Sequence, residues 1–408
     1  MPIIFEGATI SGGISIEPSQ ITVPGAPTIG SATATGETTA TVSFTAPASN
    51  GGATITTYTA TSSPGGITGT LSQAGSGTIT VTGLTGSTSY TFTVTATNSA
   101  GTSSPSASSN SITTSAPPVS KKAIFGYGFS DSNTAITNLV SNTGVVATDT
   151  AGVGTARQLL AAAGYGTDKA IFGYGIGTAV TNKVSNTGVV ATDTTGVGTA
   201  RYGLAAAGYG TDKAIFGYGY GESTTAVTNL VSNTGVVATD TAGVGSARFY
   251  LAAAGYGTDK AIFGYGNQSG AFVSITNLVS NTGVVANDTA GVGTGREYLA
   301  AAGYGTDKAI FGYGDDAGGA TNYSMTNLVS NTGVVATDTA GVGTARARLA
   351  AAGYGTDKAI FGYGYNAYIG GSAVLSMTNL VSNTGIVATD TTGVGTARRS
   401  PAAASYGS

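Results

Sequence analysis

Lys169-Ala-Ile-Phe-Gly-Tyr-Gly175 is one of six copies of the same heptapeptide, which begin at Lys122, Lys169, Lys213, Lys260, Lys308 and Lys358. The intervals are 47, 44, 47, 48 and 50 residues. A period of about 40–50 residues with strand content indicates propeller blades, whereas one β-solenoid coil is about half as long. Around the copy at Lys169 the unit divides into four expected strands by apolar runs and turn residues. Strand a is Leu160–Tyr165, strand b Lys169–Tyr174, strand c Thr181–Ser185 and strand d Val189–Asp193. Gly166-Thr-Asp168 turns a into b, and Asn186-Thr-Gly188 turns c into d.

The first unit begins at strand b. The chain ends on Ser400-Pro-Ala-Ala-Ala-Ser-Tyr406, which matches strand a and has no strand b after it. The C-terminal strand is therefore expected to complete the first unit. Six complete blades in a closed ring would leave no bare sheet edge. The run of b, c and d strands followed by Arg before the next a strand resembles kelch-type repeats. The kelch Gly-Gly is Gly-Tyr-Gly here and the kelch Trp is missing. Similar kelch-like arrays occur in virion proteins of tailed phages. The resemblance implies a six-bladed β-propeller over 122–408.

The repeats are nearly identical, and they differ in two places. One is the b–c connection: 129–136, 176–180, 220–227, 267–275, 315–325 and 365–377. It holds Phe129, Tyr220, Phe272, Asp315, Asp316, Tyr323, Tyr365 and Tyr368. The other is the pair after each repeat Arg, which includes Tyr202, Phe249-Tyr250 and Tyr298. In an up-and-down blade the b–c and d–a connections emerge on the same face, so the variation is expected on one face. Paratopes use aromatic area and adaptable polar residues in the same way. These twelve residues are the expected ligand-binding set, with neutral loop drift as the bland alternative.

Residues 24–117 read as short alternating strands with turn signals between them, which fits a β-sandwich. The stretch Val81-Thr-Gly-Leu84 to Tyr90-Thr-Phe-Thr-Val94-Thr-Ala96-Thr-Asn98 resembles the fibronectin type III signature. By that resemblance Tyr90 is the corner tyrosine beside Leu84, and Phe44 takes the place of the usual Trp. Residues 1–23, with Ile3, Phe5, Ile10, Ile14 and Ile16, read as an N-terminal docking arm, and 118–121 as a short linker stiffened by the adjacent prolines. The fold class is all-β throughout.

Composition excludes much chemistry. The chain has 408 residues with no Cys, His or Trp, so it holds no disulfide, thiol nucleophile, imidazole base or His/Cys metal site. Only 9% of residues are charged and the net charge is −3, which argues against a nucleic-acid partner. Neither an export signal nor a run of ~18 apolar residues is present, so no membrane insertion is expected. The repeated Asp149, Asp193, Asp240, Asp288, Asp338 and Asp390 are superficially similar to a calcium loop. One carboxylate per repeat is too few for calcium, and turn capping is the expected role. The six repeat Arg (Arg157, Arg201, Arg248, Arg296, Arg346, Arg398) are expected to pair with carboxylates or carbonyls between repeats, with a ring around an anion as the alternative. No catalytic residue, metal or cofactor is expected.

The functional expectation is a non-enzymatic virion structural protein of a tail, baseplate or capsid. It would act as a host-surface adhesin, with a glycan or protein as ligand and other virion proteins as partners of the arm; homo-oligomers fit the same reading. The alternatives are a secreted or cell-surface carbohydrate-binding protein of a bacterium, and a decoration protein without ligand.

Overall fold

The computed structural model describes residues 20–115, 121–316, 321–368 and 373–407. The chain divides into two compact units, Met1–Pro118 and Val119–Ser408. The expected arm falls almost wholly outside the described residues, as does the linker apart from Lys121.

The first unit is a two-sheet sandwich. One sheet pairs β1 (Thr28–Ala34), β2 (Thr39–Thr45) and β5 (Gly77–Thr82). The other pairs β4 (Thr68–Leu71), β3 (Thr57–Ser63), β6 (Ser89–Asn98) and β7 (Gly101–Thr102), with β8 (Ile112–Thr113) also on β6. Alternation decides which residues meet. Val42, Tyr58, Ala60, Ile79, Val81, Phe92, Val94 and Ala96 are buried between the sheets, and the threonines between them face outward. Tyr90 is buried beside Leu84, and its hydroxyl accepts the Thr85 amide at 3.0 Å. Phe44 packs on Tyr58 with ring centroids 4.3 Å apart. After β7 the chain follows β6 with a period of three. Ser103, Ser106 and Ser109 each give an amide to the carbonyl of Ala96, Val94 and Phe92, and each hydroxyl accepts the amide of that same residue. Serine side chains thus serve the edge of β6 where a paired strand would otherwise be needed.

Among the described residues the second unit is a series of six small antiparallel sheets of three strands each, with two short hairpins, Asn267–Gln268/Ala271–Phe272 and Asp315–Asp316/Thr321–Asn322. In the sheet around Lys169, Ala161–Tyr165 pairs with Lys169–Gly173, which pairs with Thr181–Val184. The middle strand is buried from its second residue onward, as suits a strand covered on both faces. The sheet of Lys122–Gly126 and Thr137–Val140 takes its third strand from the C-terminus, with Ala402 opposite Gly126 and Tyr406 opposite Lys122. Each alanine-rich strand lies beside the next along the chain, and Ala402–Tyr406 lies beside both Ala350–Tyr354 and Ala161–Tyr165. Small residues permit this approach: a Cβ on Gly208 would stand 3.4 Å from the Gly164 carbonyl oxygen.

The expected strand d is absent from every sheet; two isolated bridges stand in its place. Val190 lies opposite Val184 and Thr194 opposite Thr181. Four steps on one side face three on the other, so the ladder cannot stay in register. Side chains serve the intervening backbone: the Asn182 amide donates to the Ala191 carbonyl at 3.0 Å. Strand b also ends one residue early. Tyr174 has φ +64°, and its counterparts in the other five repeats lie between +63° and +65°. This left-handed turn is uncommon for a bulky residue. It places the ring edge-on against Phe216 of the next sheet at 5.2 Å and sends its hydroxyl to the Val197 carbonyl at 3.0 Å.

The repeat arginines are buried joints. Arg157 donates from Nε to the Tyr174 carbonyl (2.8 Å), from Nη1 to the Thr155 carbonyl (3.0 Å) and from Nη2 to Asn182 Oδ1 (2.7 Å). Its guanidinium lies 4.4 Å from the centre of the Tyr127 ring in the preceding sheet. Asp193 caps across the same joint, accepting the amide and hydroxyl of Thr155. These groups face one another inside the protein, so the arginines do not surround an anion.

Candidate ligand-recognition site

The invariant Arg fixes where the two variable segments meet. The residue after it pairs with the residue that follows Gly-Tyr-Gly: Tyr202 with Tyr220, Phe249 with Asn267, Glu297 with Asp315, Ala347 with Tyr365, and Arg399 with Phe129. Backbone pairing therefore joins two stretches into one patch at each of these five places, the partners being 18 residues apart in four of them and 270 in the fifth.

The second residue after each Arg makes a different connection. Leu159, Gly203, Tyr250, Tyr298, Arg348 and Ser400 all have φ between +51° and +60°. Gly203 donates its amide to Leu159, Tyr250 to Gly203, Tyr298 to Tyr250, Arg348 to Tyr298, Ser400 to Arg348 and Leu159 to Ser400. Each of the six carbonyls accepts from the next repeat. Below them, Leu160, Leu204, Leu251, Leu299, Leu349 and Pro401 line a cavity of about 100 Å³.

On this frame the aromatic side chains gather. Tyr220 lies 5.4 Å from Phe249 and 5.5 Å from Tyr202, Phe249 lies 4.5 Å from Tyr250, and Tyr250 stacks on Tyr298 at 3.8 Å. Arg348 covers the other side, 4.1 Å from the Tyr298 ring centre. All five rings are half-buried. Burial pushes the Tyr250 and Tyr298 hydroxyls above the usual phenol range, so they remain neutral donors.

An acidic group adjoins the rings. Glu297 and Asp315 are each 4% exposed. Asn267 Nδ2 donates to Glu297 Oε2 at 2.9 Å, and the Tyr323 hydroxyl donates to Asp316 Oδ2 at 2.6 Å. One oxygen of Asp315 and one of Asp316 are buried without a hydrogen-bond partner. Burial, and then the Glu297 charge, raise Asp315 from 3.8 to about 7; burial also raises Glu297. Among the described residues no three acidic side chains are placed to hold a metal ion.

Of the twelve expected residues, Tyr202, Tyr220, Phe249, Tyr250 and Tyr298 form one cluster, and Asp315, Asp316 and Tyr323 a second beside it. Phe129 and Tyr365 share Arg399, whose guanidinium lies 4.7 and 5.4 Å from their ring centres. Phe272, half-buried on the short hairpin Asn267–Gln268/Ala271–Phe272, joins neither cluster. Tyr368 is 59% exposed. Arg348, Arg399 and Glu297 belong to the site although residue type alone did not single them out. Their signal was positional, since each lies in the fixed-length pair after a repeat Arg.

Residues 25–112 match the fibronectin type III domain family. They form a fibronectin type III domain. Two solved structures similar to the chain are domains A168–A170 from titin (32% identity, 23% of this chain and 32% of that chain, TM-score 0.20) and titin kinase with its flanking domains (22% identity, 30% and 28%, TM-score 0.20). The chain spans about a third or less of each titin structure's length. No curated protein matches. The fibronectin domain family is thus placed on the first unit, and the ligand-recognition candidate lies in the second.

Proposed function

We propose that the chain is a non-enzymatic virion structural protein of a tail, baseplate or capsid, which attaches to a host-surface glycan or protein. In this reading 122–408 is a kelch-like six-bladed propeller closed by the C-terminal strand, with three full strands per blade and the fourth reduced to bridges. The fibronectin domain acts as a spacer, and residues 1–23 dock on other virion proteins. The backbone circle through Leu159, Gly203, Tyr250, Tyr298, Arg348 and Ser400 supports the closure.

One observation carries the recognition role. Among the positions where the repeats differ most, Tyr202, Tyr220, Phe249, Tyr250 and Tyr298 gather into one aromatic cluster, while the Arg–Asn–Asp frame beneath them stays constant. Rigid aromatic rings give contact area at low entropy cost, and their faces stack on sugar rings. Weak single contacts suffice when many copies are displayed on a particle. The test is binding of the multivalently displayed full chain to candidate host cells and to a glycan array, beside Tyr202→Ser/Tyr250→Gly. Saturable binding that the double variant loses is the expected result. Absence of binding by the parent chain would overturn the recognition role and leave decoration of the particle.

A further inference from the structure

The far ends of the alanine-rich strands carry a second site. Their last residues and the turns that follow surround a cavity of about 260 Å³, into which Lys121, Lys169, Lys213, Lys260, Lys308 and Lys358 all contribute. It is slightly smaller than the ~300–1,000 Å³ pockets of drug-sized ligands, which limits the occupant to a small one.

Five of these lysines are held by the aspartate before them. Lys169, Lys213, Lys260, Lys308 and Lys358 meet Asp168, Asp212, Asp259, Asp307 and Asp357 at 2.8–3.0 Å. An ammonium group has three donors, so each lysine keeps two for another acceptor. The sixth place is different. Gly166 donates its amide to the backbone carbonyl of Asp212, Gly210 to that of Asp259, Gly257 to that of Asp307, Gly305 to that of Asp357 and Gly407 to that of Asp168, while Gly355 donates in the same way to the carbonyl of Lys121. Lys121 therefore occupies the aspartate position of its repeat, and Lys122 has no carboxylate beside it. Among the described residues neither of the two makes an ion pair. Six lysines line this opening and five aspartates pair with them, in a chain whose net charge is −3.

We propose that this lysine-lined cavity binds a compact polyanion of phosphate or carboxylate type, bearing three or more charges. Lysines contributed to one cavity by six repeats match a ligand with charge on several sides. A monovalent anion would engage one or two of them.

Calorimetric titration of the full chain with tripolyphosphate, citrate and orthophosphate tests this. A single site of micromolar affinity for tripolyphosphate or citrate is expected, with orthophosphate at least tenfold weaker. The stronger of the first two identifies the chemistry. Affinity should fall tenfold or more between about 50 and 300 mM salt, as screening shortens the reach of the lysines. Lys121→Asp restores the residue of the other five repeats and so preserves the fold; it should weaken binding at least tenfold. Asp357→Asn, which removes a negative charge from the lining, should strengthen binding severalfold. Lys183→Ala, remote from the lining, should leave it unchanged. Absence of binding by the parent chain, or equal binding by Lys121→Asp, would overturn the proposal.

Discussion

Arg398 donates from Nη2 to Asn138 Oδ1 at 2.7 Å, a bond between positions 260 residues apart. The same bond joins Arg248 to Asn277, only 29 residues on. The two joints share this bond and the one from Nη1, but Arg248 Nε also donates to the Tyr265 carbonyl whereas Arg398 Nε is buried without a partner.

Removing either guanidinium strips the buried Asn oxygen of its donor and leaves the neighbouring Tyr ring uncovered. Arg248→Met and Arg398→Met should each cost about 2–4 kcal/mol. If the proposed ring is closed, the Arg398→Met loss in urea titrations should fall short of the other by no more than the ~1 kcal/mol of that one missing bond. A markedly smaller loss for Arg398→Met would indicate an open array.

Gly217 shows how tightly the sheets approach. A Cβ there would lie 2.7 Å from the Phe263 ring. Gly217→Ala should therefore destabilise by about 1–3 kcal/mol through overpacking. Gly75→Ala, where a Cβ meets nothing within 4 Å, should be close to neutral by the same thermal melts.

Asp315 gives the fold a pH dependence. Its pKa of about 7 lies above the ordinary 3.8, so between those values the folded chain keeps a proton that the unfolded chain releases. Stability should fall as pH rises from about 4 to 7 and level off above that. Asp315→Asn should remove most of this slope and be more stable than the parent at pH 8, by on the order of 2–4 kcal/mol. The repeat aspartates act in the opposite sense. Although burial opposes it, hydrogen bonds from Thr155 and Asn182 hold Asp193 below its ordinary range. Their contribution is present above about pH 4 and lost as the pH falls further. Denaturation curves across pH 3–8 separate the two.

Tyr250 occupies a left-handed position that Gly203 fills in the preceding repeat. Tyr250→Gly relieves the backbone and loses the stacking on Tyr298, two effects of about 1 kcal/mol that oppose each other. The melting temperature should barely move. Binding to host cells or glycans should fall at least tenfold if the rings form the contact surface.

Much of the strand pattern was legible in the sequence, because alternating Thr and apolar residues and a repeated heptapeptide leave few alternatives. In the unit around Lys169 the middle and alanine-rich strands lie within one residue of their expected ends, while in the last repeat the middle strand runs on to Asn366. Strand d was not legible as two bridges: Val189–Asp193 has the right composition, and the extra residue between its two pairings appears only once the partner strand is placed. The left-handed residues were hidden for a related reason. Tyr174, Leu159 and Arg348 carry no glycine signal, and packing against neighbouring repeats holds them in that conformation. The meeting of the two variable segments followed from chain direction. The contact of Arg348 with Tyr298 depends on side chains from different repeats, which no local pattern encodes.

The pairing of Ala402–Tyr406 with Lys122–Gly126 also sets an order in time. A ribosome adding about 10 residues per second finishes the latter strand on the order of half a minute before it makes the former. Throughout that interval the first sheet has two strands, and every newly made alanine-rich strand could compete for the vacancy. A Gly-Thr-Asp turn commits each of those strands to the middle strand that follows it. Ala402–Tyr406 pairs instead with Lys122–Gly126, a strand made long before it. On crowded polysomes, the C-terminal strand of one nascent chain could fill the first sheet of another, linking chains that should mature separately.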